Sequence, residues 1–303
     1  MKQRLIPQSQ MAQAALLMIV AVLFFTLMDA TAKELSQRHH PIQVIWARYF
    51  FQLVLTFALL APRLRKLMVT NHLKMQLIRS LFLFGGTLGF FTSIALMPLA
   101  AATAIFEVGP LFITIAAYFI LGEHVGPRRI IAVLLGLLGA MVIIRPGSDA
   151  FTPVAILPMI AAACYAGYAI SSRVLGAAED QWTNFIYTGL IGTILITIMV
   201  PFVWQAPNVI DWFLFCLIGM LGMIAHLLLL RAFLLGEASF VAPFAYASMA
   251  FSAIWGFVFF AEVPDIYVYI GASIIIGSGL FIWYIESRDS RKKTGLEQAV
   301  DRN

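Results

Sequence analysis

Residues 101–123 read AATAIFEVGPLFITIAAYFILGE, and residues 240–262 read FVAPFAYASMAFSAIWGFVFFAE. Each run is long enough to cross the roughly 30 Å hydrocarbon core of a bilayer, which takes about 20 apolar residues in a helix. Each closes on a glutamate, Glu123 and Glu262, and each carries a phenylalanine at the same internal position, Phe112 and Phe251. The offset between the two, 139–140 residues, extends outward: it sets Ala15-Leu16 on Ala155-Ile156, Lys33-Glu34-Leu35 on Arg173-Val174-Leu175, and Pro62 on Pro201. The chain therefore reads as two similar halves.

Outside those two stretches the composition is of the same kind. Of 303 residues, 61% are hydrophobic and 12% charged, and the mean hydropathy is +0.91. A water-soluble domain is closer to half apolar and a quarter charged, so a soluble enzyme, a disordered chain and a disulfide scaffold are all excluded. Runs of membrane-spanning length fall at about 11–34, 41–61, 76–97, 100–121, 128–145, 153–174, 182–203, 210–233, 238–260 and 266–286. The expected fold class is an all-α integral membrane protein of ten transmembrane helices. Its domains are a first five-helix repeat (11–145), a second (153–286) and a polar tail (287–303).

Charge sets the orientation. Placing both termini in the cytoplasm puts 16 of the 20 Lys and Arg on that side and leaves only Lys33, Arg38 and Arg145 outside, with Arg48 inside a helix. This is the positive-inside pattern. Because each half holds five helices, the second must enter the membrane from the opposite face. The expectation is an inverted-topology repeat, an arrangement in which two similar halves can exchange conformations about a site near the midplane.

Several other readings are set aside. The net charge of +5 is spread over loops and tail, which gives no nucleic-acid surface. Cys164 and Cys216 lie in apolar runs and support neither a disulfide nor a metal site, and no cofactor motif is present. The run from Met11 to about Asp29 is too long, and lacks a clean cleavage site, to read as a signal peptide; it is the first membrane helix.

Particular residues carry a family resemblance. Ile120-Leu-Gly-Glu123 is followed by Gly136-Leu-Leu-Gly139, and Phe259-Phe-Ala-Glu262 by Gly271 and Gly277-Ser-Gly279. Ala95-Leu-Met-Pro98 precedes helix 4, and Arg48 lies within Trp46-Ala-Arg48-Tyr49-Phe50. The chain, from about residue 12 to 286, resembles the EamA-type drug/metabolite transporter superfamily. The resemblance implies a bacterial inner-membrane carrier of a small organic metabolite working by alternating access. The stretch Ala242-Pro243-Phe-Ala-Tyr246 resembles members that import metabolites such as S-adenosylmethionine, while riboflavin and amino-acid carriers share the same frame. Import, export and proton coupling stay open, as does the choice between monomer and homodimer.

Ionisable groups inside a membrane are costly and by default functional. Asp29, Arg48 and Glu107 each lie six or seven residues from the outer end of their helix, roughly 9–10 Å deep, and so form one expected layer. Arg48 either pairs with one acid to hold helices together or serves a gate or coupling site. The repeat converts these three to Ala169, Tyr187 and Tyr246, so the inner layer is expected to be aromatic and neutral, with His226 at a similar depth either titrating or bonding between helices. Phe90, Tyr165, Tyr168, Tyr246 and Trp255 fall on helices that line the central cavity in the resembled family. There they would stack on a planar or cationic substrate, or simply pack.

The remaining signals are structural. Gly85, Gly86 and Gly89, Gly136 with Gly139, and Gly219 with Gly222 have the spacing of close helix approach. Pro110, Pro158 and Pro243 are expected to bend their helices. Glu123 and Glu262 read as loop-bonding carboxylates on opposite faces, and Lys292-Lys293 in the tail as a contact to anionic lipid. A membrane enzyme would need a nucleophile, metal or clustered acids, and the five histidines have no such spacing.

Overall fold

The computed structural model describes residues 8–122, 126–145, 152–175, 178–235 and 241–300. Every regular element among them is helical. Besides four short 3-10 turns, the α-helices in chain order are α1 (Gln8–Ser36), α2 (Pro41–Leu60), the single turn α3 (Leu64–Leu67), α4 (Leu73–Leu96), α5 (Leu99–Phe106), α6 (Gly109–Leu121), α7 (Pro127–Ile144), α8 (Ile156–Leu175), α9 (Gln181–Met199), α10 (Val209–Leu235), α11 (Ala247–Phe260) and α12 (Ile266–Val300).

Eight helical stretches are long and apolar enough to cross a membrane: 10–36, 41–67, 73–96, 99–121, 153–175, 181–202, 209–235 and 243–260. The apolar parts of α7 and α12, Ile130–Ile144 and Ile266–Phe281, are shorter. At 1.5 Å per residue each covers roughly 22–24 Å, less than the hydrocarbon core. The backbone of the polar tail continues α12 as helix to Val300.

Two of the expected helices are interrupted, each beside a proline. Proline has no N–H, and its ring clashes with the carbonyl four residues earlier. For Pro110 that carbonyl belongs to Phe106, and α5 ends there; α6 restarts at Gly109 with Pro110 in its first turn, where a missing N–H costs nothing. Pro243 likewise sits in a tighter 3-10 turn, Ala242–Tyr246, that leads into α11. Pro158 makes no break, because it falls within the first turn of α8, whose N–H groups have no intrahelical acceptor in any case. Glu107, the cap residue of α5, is thereby held at the first interruption and Tyr246 at the second.

The glycines let helices touch. A Cβ on Gly86 would lie 3.3 Å from the Ala161 carbonyl oxygen, and one on Gly89 3.3 Å from that of Leu157, so α4 rides on α8 backbone to backbone. A Cβ on Gly139 would lie 2.8 Å from the Gly271 carbonyl oxygen between α7 and α12, and one on Gly219 2.7 Å from the Gln52 amide nitrogen between α10 and α2, both too close for a side chain. In lipid, where association depends on such close van der Waals contact, these sites define the packing. The resulting neighbours are α1 on α10, α4 on α8, α2 on both α9 and α10, α4 on α9, α1 on α11, α6 on α8 and α7 on α12.

Ala261 ends α11 in the left-handed region, with φ of 53°. Its conformation lets the Glu262 amide donate to the Gly256 carbonyl at 3.0 Å and turns the Glu262 side chain back across the bundle. A left-handed alanine costs about 1 kcal/mol that glycine does not. Ala261→Gly is therefore expected to stabilise the protein by about that amount, read as a rise in the midpoint of thermal unfolding in detergent.

Candidate functional site

Asp29 on α1, Arg48 on α2 and Arg79 on α4 are all buried, with 8%, 5% and 4% of their surface exposed. Arg48 stands between rings, 4.9 Å from the centroid of Tyr49 and 5.4 Å from that of Phe91. Its Nη1 donates to Thr87 Oγ1 at 3.4 Å, a weak bond that competes with the 3.1 Å bond from the Tyr49 hydroxyl, and its buried Nε has no partner. Asp29 lies within electrostatic range of Arg48. Yet the ion pairs among the described residues do not join Arg48 to either acid. The three expected layer-mates are thus placed as separate charges.

Glu107, half-buried at the α5/α6 interruption, accepts a hydrogen bond from Ser248 Oγ at the start of α11. Four residues earlier, Thr103 Oγ1 donates to Ser252 Oγ at 3.0 Å across the same pair of helices. Tyr165 and Tyr246 lie within electrostatic range of the Glu107 carboxylate. From there an aromatic series runs through the bundle. Phe90 meets Phe106 at 4.9 Å, Phe106 meets Tyr165 at 5.7 Å, Tyr165 meets Tyr168 at 5.9 Å, and the Arg79 guanidinium caps the Tyr168 ring at 4.9 Å.

Two of the expected wall residues are engaged in packing bonds. His226 Nδ1 lies 2.8 Å from the Gly222 carbonyl one turn earlier, and its ring is held edge-on to Phe25 at 4.8 Å and tilted against Phe185 at 5.4 Å. Trp255 donates through Nε1 to Thr26 Oγ1 at 3.1 Å, which ties α11 to α1, and stacks on Phe259 at 5.6 Å.

Arg79, which the charge count assigns to the cytoplasmic side, was not among the expected site residues. It is buried and bonds Ser172 Oγ at 2.8 Å, the Asn184 carbonyl at 2.9 Å, Gln76 Oε1 at 3.2 Å and the Tyr168 hydroxyl at 3.2 Å. No carboxylate pairs with it among the described residues. With Gln76 Nε2 donating to Asn184 Oδ1 at 2.6 Å, it joins α4 to α8 and α9.

A second missed cluster lies at the opposite end. Lys33 Nζ is 2.9 Å from Glu262 Oε1 and donates to the carbonyls of Ile94 at 2.9 Å and Met97 at 2.7 Å. The other Glu262 oxygen accepts from the Leu99 amide at 2.9 Å, which caps the start of α5 with a negative charge. Nearby, Gln43 and Gln205 exchange two bonds of 2.8 and 2.9 Å, and Asp211 pairs with Arg38 at 3.0 Å and His39 at 3.0 Å. Apart from the two Lys33 bonds to the Ile94 and Met97 carbonyls, each of these contacts joins a residue before 145 to one after 152. One signal was available: Lys33 is four residues after Asp29, on the same face of α1. Glu123, the counterpart of Glu262, lies outside the described residues.

Comparison with known proteins decides what this arrangement belongs to. The model of the EamA-like transporter family matches residues 12–145 and again 152–284. The chain is an EamA-like transporter. It is 27% identical to an S-adenosylmethionine uptake transporter of Rickettsia bellii over 88% of this chain and 91% of that protein. A riboflavin transporter of Vibrio cholerae is 29% identical over 94% and 97%, and a pseudopaline exporter of Pseudomonas aeruginosa 27% identical over 86% and 92%. The EamA-like chain is thus a multi-pass membrane transporter of small molecules, and the enzyme reading is set aside.

Proposed function

We propose that this EamA-like transporter carries a small zwitterionic metabolite across the bacterial inner membrane by alternating access, in ten helices arranged as two inverted repeats with both termini cytoplasmic. The double family match supports the repeat. So does the packing: exchanging the halves turns the α1/α10 contact into α8/α4, α1/α11 into α8/α6, and α2/α10 into α9/α4, while α7/α12 and α2/α9 map onto themselves. In this reading the Lys33–Glu262 contacts close the outer end and the Arg79 contacts the inner end, with the site between them.

The observation that carries the substrate class is the presence in that interior of charges of both signs that do not pair with one another. Among the described residues, Asp29 makes no ion pair, Glu107 accepts one bond from Ser248, and Arg48 has one long bond and an unpartnered Nε. Holding unpaired charge in a low-dielectric interior is costly, and a ligand of complementary charges relieves that cost. S-adenosylmethionine, with its ammonium, sulfonium and carboxylate groups, meets both signs, and its planar base suits the Phe90–Tyr168 aromatic series. Riboflavin is the second reading, because its ring system uses the same aromatics while leaving the charges unmatched.

In proteoliposomes, labelled S-adenosylmethionine is expected to enter saturably and to exchange faster when the same compound is present on the far side, with riboflavin a weak competitor. Saturable riboflavin exchange with no S-adenosylmethionine flux would transfer the assignment to the flavin. Loading the vesicles and measuring release decides between import and export. Asp29 and Glu107 are the groups able to carry a proton, so collapsing the proton gradient is expected to abolish accumulation while sparing exchange.

A further inference from the structure

A groove of about 390 Å³ lies where the end of α2, the start of α9 and the last third of α10 meet. It is lined by Leu60, Leu227, Leu230 and Trp182 together with two arginines, Arg63 from the turn after α2 and Arg231 from α10. Both arginines are exposed, and neither forms an ion pair or hydrogen bond among the described residues. The groove lies near one end of three apolar spans, 41–67, 181–202 and 209–235.

We propose that this groove binds an anionic phospholipid, with the phosphate held between Arg63 and Arg231 and one acyl chain laid along Leu60, Leu227 and Leu230. Tryptophan favours the boundary between hydrocarbon and headgroup, and arginine matches phosphate with a fork of donors. Charge alone would serve a free phosphate equally well; the leucine lining suits a molecule with a tail. The occupant would bridge α2 of the first half and α9 and α10 of the second, so binding is coupled to how the halves are arranged. This site is separate from the transported substrate, and its test does not depend on which metabolite is carried.

The test uses the full chain in nanodiscs of phosphatidylethanolamine containing a minor fraction of phosphatidylglycerol, with retained lipid counted by native mass spectrometry after extraction. The wild-type protein is expected to retain phosphatidylglycerol in preference to phosphatidylethanolamine, and the double variant Arg63→Gln/Arg231→Gln to lose that preference by about thirtyfold, from two surface arginines acting on one headgroup. Leu230→Trp, which keeps both charges but fills the groove, is also expected to lose it. Equal retention in the double variant overturns the proposal. So does full retention in Leu230→Trp, which would leave only a diffuse basic surface, and so does displacement of the lipid by millimolar inorganic phosphate, which would make this a site for the free anion.

Discussion

Lys33→Met is expected to open the Glu262 end of the bundle and to lower net transport at least tenfold, while Lys33→Arg is tolerated. Lys33 makes one ion pair and two bonds to carbonyl oxygens that end α4, so its loss strips three partners at once. The paired side chains are 9% and 21% exposed, which places the cost of breaking them between that of a surface pair and that of a fully buried one, about 2 kcal/mol, or about thirtyfold in the open-to-closed ratio. The measurement is the alkylation rate of Ser252→Cys, a fully buried position ten residues before Glu262, in a background carrying Cys164→Ser and Cys216→Ser. A rise of about thirtyfold is expected in Lys33→Met. An unchanged rate with unchanged flux would make the cluster a static brace, and the closure assigned to this end would be lost. The reversed pair Lys33→Glu/Glu262→Lys is expected to recover only part of the loss, because the new carboxylate would face the Ile94 and Met97 carbonyls and the new ammonium would face the Leu99 amide.

Arg48→Gln is expected to reduce substrate affinity by roughly ten- to a hundredfold with little change in folding, the magnitude of a lost charge-assisted bond. The asymmetry follows from its surroundings: besides the faces of Tyr49 and Phe91, which a glutamine can still pack against, the protein supplies Arg48 with one bond of 3.4 Å and leaves Nε without a partner, so its removal deprives the fold of less than it deprives a bound carboxylate. Glu107→Gln keeps an acceptor for Ser248 and is expected to act on the substrate's cationic group in the same way. Flux unchanged in both variants, with the protein folded, would discard this interior as the binding site. A fall in thermal stability equal to the fall in transport would instead assign Arg48 to helix packing.

What could be read without coordinates was read from properties local to the chain. The length of an apolar run decides whether a helix can span, and Gly86, Gly89, Gly139 and Gly219 mark close approach by the size of their own side chain. Bends were expected at Pro110, Pro158 and Pro243 because the clash a proline creates is with its own helix; Pro110 and Pro243 stand beside interruptions, and Pro158, in a first turn, does not. A count along three helices gave Asp29, Arg48 and Glu107 one expected depth, but depth is one coordinate of three. It did not say that Arg48 would turn to Thr87 and the rings of Tyr49 and Phe91, or that Glu107 would find Ser248 across the bundle.

By itself, then, the order of residues determined an all-helical, membrane-embedded chain, the glycines suited to close packing and its kinship with the EamA-like transporters. The tertiary structure alone decided that Arg79 is interior rather than superficial and that Lys33 and Glu262, more than two hundred residues apart, meet at one end. The reason is physical: the cost of polar groups in lipid is set by each stretch of chain separately. A charge buried within the bundle takes whichever partner packing brings within 3 Å, and side-chain types spaced along a sequence carry no measure of that distance.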